Sequence, residues 1–124
     1  MNTAIWIITG LLAAVFALVG LMKIAQPKDK LAASGQAWVE DFPEGAVKAI
    51  GALEVLGAIG LLLPALLDTA TVLVPLAATG LALMMAGAAI THARRGEYPN
   101  IAANAVLAAL AISIAVERFG PYSF

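Results

Sequence analysis

A glutamate, Glu54, stands inside the otherwise apolar run IGALEVLGAIGLLLP at residues 50–64. Three other apolar runs are each broken near one end: by Lys23, by His92, and by Asn104 with Asn100 a turn before it. Carboxylate, ammonium, imidazole and amide groups are those that hold a polar ligand or move a proton. A charged carboxylate near the middle of a membrane helix costs about 2.5–3.5 kcal/mol on insertion scales, so Glu54 needs a partner or a proton. Lys23 is the partner that matches it in depth, and His92 and Asn104 are placed to donate hydrogen bonds. Lys23, Glu54, His92 and Asn104 are therefore the expected ligand-binding set. Each has a plainer alternative. Glu54 could be a structural clamp between helices, Lys23 a side chain snorkelling to the interface, His92 an interfacial residue and Asn104 an interhelical hydrogen-bonding residue.

The chemistry excluded is as informative. The chain has no cysteine and one histidine, which removes disulfides, thiolate metal sites and thiol redox chemistry. No metal-ligand spacing and no nucleophile constellation occurs, so no catalytic residue and no metal site is assigned, and no cofactor is required. A formal charge of −1 and a pI of about 5.7 give no footprint for nucleic acid.

The elements that must position these groups are membrane helices. Of the 124 residues 62% are hydrophobic and 12% charged, with a mean hydropathy of +0.95. A soluble domain carries about 25% charged residues. Four apolar segments are long enough to cross about 30 Å of hydrocarbon: residues 3–24, 47–67, 71–91 and 101–116. The first has no basic leader and is too long for a secretory h-region, so it reads as a retained transmembrane helix. The fourth is short by about a turn unless Pro99, Asn100, Glu117 and Arg118 sit in the headgroup zone, and its alanine content predicts packing against protein rather than lipid. Short second and third connections predict an all-α, up-down-up-down transmembrane four-helix bundle forming a single domain over residues 1–124.

The linker at residues 25–46 holds QPKDKLAASGQAWVEDFPEG. Asp29 is the expected N-cap of a short interfacial helix with Leu31, Trp38 and Val39 on one face, ended by Pro43. Trp38 and Phe42 are the expected lid over the polar end. Gly80, Met84, Gly87 and Thr91 on the third span, like the glycines of the second, read as helix-packing stripes, with the lining of a ligand channel as the alternative. Asp68 and the pair Glu117–Arg118 fall at the opposite end, where water is expected to reach them. Lys23, Lys28, Lys30, Lys48, Arg94 and Arg95 gather at one face against Arg118 at the other. The first and third connections are therefore expected in the cytoplasm and the termini outside, in a multi-pass protein of the plasma (inner) membrane. Arg94 and Arg95 count here as a topology signal.

The segments W…DFP, VKAIGALEVLGAIGLLLP, LVPLAATGLALMMAGAAITHARRGE and the closing RFGPYSF resemble the DoxX-like family of small four-helix membrane proteins. The resemblance covers nearly the whole chain. It implies that Lys23, Glu54 and His92 occupy family-typical polar positions, with Asn104 a weaker match. Relatives include a quinone-reducing thiosulfate oxidoreductase subunit and membrane accessory proteins, and cysteine-dependent members share only the scaffold with this chain. The expectation is an accessory subunit or a protein binding a small amphiphile, quinone or lipid, with a membrane subunit of a quinone-linked oxidoreductase as the alternative. Quinone is then the candidate cofactor. Membrane lipid, a larger membrane complex or a homo-oligomer are the candidate partners.

Overall fold

The computed structural model describes residues 2–124. The helices are α1 (Asn2–Ala25), α2 (Lys28–Ala33), α3 (Glu44–Leu66), α4 (Leu73–Arg94) and α5 (Tyr98–Phe119), with a 3-10 turn at Ala37–Asp41 between α2 and α3. There is no strand among the described residues. Helices α1, α3, α4 and α5 are each long and apolar enough to span a membrane, which makes this a multi-pass membrane bundle.

The bundle packs because each long helix buries a narrow stripe. In α1 that stripe is Ile5, Thr9, Leu12, Phe16, Gly20 and Lys23, and in α3 it is Val47, Gly51, Glu54, Ala58 and Leu61. Both advance by threes and fours, the period that keeps one face of a helix against a neighbour in left-handed packing. The remaining faces are also apolar: Leu11, Leu18, Leu56 and Leu83 are mostly exposed. Helices hydrophobic all round, with only one stripe buried, require lipid as the outer solvent. Lys23, Glu54, His92 and Arg118 lie on the inward stripes and are buried.

Helix α1 packs mainly on α3 and α4 on α5; α3 and α4 join the two pairs, while α1 and α5 touch lightly. The α1–α3 contact is backbone to backbone. A Cβ on Gly20 would lie 2.7 Å from the Gly51 carbonyl oxygen, and one on Gly51 would lie 2.7 Å from that of Gly20. Against α4, the Leu81 side chain fills the space beside Gly57, and Ala77 approaches Gly60.

Several expectations need correction. Gly80 and Gly87 meet nothing within 4 Å, so the glycine stripe of α4 is not a helix interface; Met84, Gly87 and Thr91 line a cavity instead. The linker is two short pieces. Pro27, not Asp29, caps α2, and the chain turns at Gly35 with φ of 101° before the 3-10 turn begins. Leu31 and Val39 still meet, buried together with Val47, because this bend folds one piece onto the other. The fourth span is a full 22 residues, since Pro99 sits in the first turn, where its missing N–H interrupts no intrahelical bond. Within this chain α5 is also the least buried span: Ala111 and Ala115 pack into the core as expected, while Ala102, Ala103, Ala105 and Ala109 face outward.

Candidate functional site

Lys23 follows Gly20 by three residues and Glu54 follows Gly51 by three. Helical side chains lean towards the N-terminus of their own helix, so on antiparallel helices in backbone contact these two lean towards each other. Lys23 Nζ donates to Glu54 Oε1 at 2.5 Å, with the two residues 7% and 2% exposed. A largely desolvated ammonium and carboxylate persist together because each offsets the other's burial. The ammonium also lies 5.3 Å from the centre of the Trp38 ring, which stands edge-on to Phe42. The linker is held over this end by Lys28 Nζ, which donates to the Phe42 carbonyl at 2.6 Å. Lys48 Nζ donates to the Ile24 carbonyl at the end of α1.

His92 owes its place to the way α4 ends. The Gly96 N–H bonds to the Ala93 carbonyl and the Glu97 N–H to the His92 carbonyl, a Schellman terminator whose glycine takes a φ of 70°. That motif sets the residue two beyond the cap over the residue three before it. A hydrophobic contact commonly fills this place; here His92 Nδ1 meets Glu97 Oε1 at 2.8 Å. The His92 hydrogen bond holds the Glu97 carboxyl below its ordinary range, and Arg95, whose Nε is 3.4 Å from Oε2, adds to this. Arg95 also reaches Asp41 at 2.9 Å and Glu40 at 3.5 Å, tying the linker to the α4–α5 turn. Its hydrogen bond to Asp41 is the main reason its pKa is raised. Arg95 is thus a structural tie as well as a surface charge.

These groups border one cavity of about 570 Å³. Lys23, Glu54, His92 and Asn104 line it, together with Trp38, Phe42 and Asn100, while Phe16, Val19, Met85 and Leu107 supply apolar wall. The structure therefore brings every expected site residue to one chamber. Asn104 Nδ2 makes a weak 3.5 Å contact with Met85 Sδ, and its Oδ1 is buried without a partner. With Nδ1 engaged by Glu97, the Nε2 of His92 remains for an occupant. No cluster of metal-ligating side chains exists among the described residues. The arrangement sets an imidazole nitrogen, an amide and a neutralised ion pair beside an apolar wall drawn from α1, α4 and α5.

Sequence reasoning missed Glu97 and Gln36, both bordering this site or its base. The signal for Glu97 was present in HARRGE: a glycine that ends a helix places the following residue over the one four positions before that glycine. It also misjudged Arg118, expected where water reaches. That residue is 5% exposed, with Nη1 donating to Asn2 Oδ1 at 2.7 Å and to the Tyr122 carbonyl at 2.9 Å.

No significant match was found among curated proteins or among solved structures. The sequence profile of the DoxX-like family does match, over residues 7–114. That span reaches into all four membrane helices and includes Lys23, Glu54, His92 and Asn104, and the chain accordingly belongs to the DoxX-like family.

Proposed function

We propose that the protein binds a small amphiphile, a quinone in preference to a phospholipid, in the cavity beneath Trp38 and Phe42, acting as a binding protein or as an accessory subunit of a larger membrane assembly. The observation that carries this is the buried, unpartnered Oδ1 of Asn104 among the residues lining a chamber of about 570 Å³, where polar groups at one end meet an apolar wall. Small-molecule sites commonly occupy about 300–1,000 Å³. A buried acceptor left without a partner costs about 1–3 kcal/mol, so a donor supplied by an occupant is favoured. A quinol hydroxyl would donate to Asn104, and a quinone carbonyl would accept from the His92 side or from Lys23. The light contact between α1 and α5 supplies a lateral way in from the bilayer. The crowding of basic residues at this end favours placing it on the cytoplasmic face of the plasma membrane.

The test uses a Trp6→Phe background, which leaves Trp38 as the single tryptophan of a chain that has two. Titrating a short-chain quinone into protein in neutral-lipid nanodiscs should quench Trp38 saturably. Asn104→Leu and Glu54→Gln should each weaken binding at least about tenfold, or 1.4 kcal/mol. Quenching that fails to saturate, or that both variants leave as strong as in the Trp6→Phe parent, rejects the proposal.

One feature favours the membrane subunit of a quinone-linked oxidoreductase as a second reading. His92 connects the cavity to Glu97, whose side chain is 25% exposed at the membrane face. Reduction of a quinone to a quinol takes two electrons and two protons. A partner protein would supply the electrons, and His92 with Glu97 would pass the protons. Glu97→Gln should then slow quinone reduction in the reconstituted assembly while leaving quinone affinity intact.

A further inference from the structure

A second polar centre lies at the opposite end of the bundle, where α1 begins and α5 ends. Arg118 is 5% exposed there, yet it enters no ion pair among the described residues. Its Nη1 uses Asn2 and the Tyr122 carbonyl. Nε is buried with no partner, and no hydrogen bond uses Nη2. The aromatic rings of Phe124, 4.1 Å from the guanidinium carbon, and Trp6, at 5.5 Å, lie against the group. The side left without partners is the Nε–Nη2 edge, the fork that grips a carboxylate or phosphate through two parallel hydrogen bonds.

This guanidinium borders a pocket of about 180 Å³ shared with Thr71, Val72, Pro75, Ser123 and Phe124. The volume equals roughly six water molecules at about 30 Å³ each, enough for an oxyanion but too small for a lipid's acyl chains. Thr71 and Val72 immediately precede α4, whose 22-residue N-terminus has no side-chain cap. The Leu73 and Val74 N–H groups are taken by the Ala70 and Thr71 carbonyls and Pro75 has none, so the helix contributes only its dipole, with partial positive charge directed towards the same space. Thr71 and Ser123 add hydroxyl donors. A buried cation without an anion, a helix N-terminus without a capping side chain and two hydroxyls converge at the depth where a bilayer presents its headgroups.

We propose that this pocket binds a phosphate-type oxyanion, carried by a phospholipid headgroup or supplied as free phosphate, between Arg118 and the N-terminus of α4. The site is independent of the cavity beneath Trp38 and lies at the other membrane face. Its occupant would supply the missing counter-ion and pin the ends of α1, α4 and α5 together.

The test measures thermal stability of the intact protein in nanodiscs of phosphatidylcholine alone, in discs containing phosphatidylglycerol, and in phosphatidylcholine discs titrated with inorganic phosphate. The expected result is a rise of a few degrees with one of the anions that Arg118→Gln abolishes. Arg94→Gln, which removes the same charge from the other face, should keep that rise. An Arg118-dependent rise with phosphatidylglycerol only identifies the lipid headgroup as the source. The same rise with inorganic phosphate in neutral lipid identifies free phosphate. If neither anion stabilises the protein in an Arg118-dependent way, the proposal is overturned. Should Arg118→Gln not fold, Arg118→Lys takes its place, because it keeps the charge and loses the fork. An apparent affinity about tenfold weaker supports the site, and an unchanged affinity overturns it.

Discussion

His92 and Glu97 are bound to each other twice, through backbone and side chain. The Glu97 N–H donates to the His92 carbonyl at 2.9 Å, and the Glu97 carboxylate takes the imidazole Nδ1 at 2.8 Å. One helix terminator therefore both ends α4 and fixes the orientation of the only histidine in the chain.

This contact has a pH signature. Glu97 is held below its ordinary value of 4.5, so the native state prefers the carboxylate, and the stability this contributes is complete above about that pH. It is lost as the pH falls through the lower, folded value. The melting temperature of the wild type should exceed that of Glu97→Gln at pH 6, and the gap should close on acidification below 4.5. A gap that persists unchanged to strongly acid pH would show that the charge of Glu97 is not involved.

Lys23 and Glu54 should behave as a unit. Removing one member of a buried pair leaves the other uncompensated, which costs about 3–5 kcal/mol. Lys23→Met is expected to destabilise the bundle on that scale. The double variant Lys23→Met/Glu54→Met should recover most of the loss, because neither charge then remains buried. Reversible unfolding in detergent measures both, and additive losses would contradict a direct pair.

The glycines should divide into two groups. Gly51→Ala places a Cβ 2.7 Å from the Gly20 carbonyl oxygen and 2.8 Å from the Lys23 Cβ, so α1 and α3 must separate. A loss of about 1–3 kcal/mol is expected, with disturbance of the Lys23–Glu54 contact. Gly87 meets nothing within 4 Å and borders the cavity. Gly87→Leu should therefore leave stability nearly unchanged while filling the chamber and abolishing quinone-dependent quenching of Trp38.

Arg95 should control the linker without contributing to the core. It joins Asp41 and Glu40 to the α4–α5 turn through partly exposed contacts that salt screens. In Arg95→Ala, hydrogen exchange at residues 37–42 should accelerate, while exchange in the interiors of α1 and α3 stays the same. High salt should move the wild type in the same direction. Unchanged exchange would mean that the packing of Leu31, Val39 and Val47 alone holds the linker.

The sequence by itself determined the solvent, the number of spans and which polar residues needed explanation. Hydropathy is a local property: four long apolar segments in a chain this poor in charge admit only a membrane bundle, and a lone glutamate among glycines is conspicuous wherever the helix sits. Pro99 shows how a local rule falls short even for an element's ends, because a proline opens a helix or blocks it depending on where the first turn starts.

Tertiary structure decided the pairings. Whether Lys23 reaches Glu54 depends on which helices touch and on the direction in which antiparallel side chains lean, and Gly20 and Gly51 settle that only once they face each other. The glycines of α3 and α4 look alike in sequence. Leu81 and Ala77 turn those of α3 into contacts, whereas Gly80 and Gly87 meet no neighbouring atom and Gly87 borders the cavity. Arg118 reads as an interfacial charge until Asn2, Tyr122 and Phe124 close over it from distant or later points in the chain. Burial, partners and empty space belong to the packed arrangement of several helices, and no single helix encodes them.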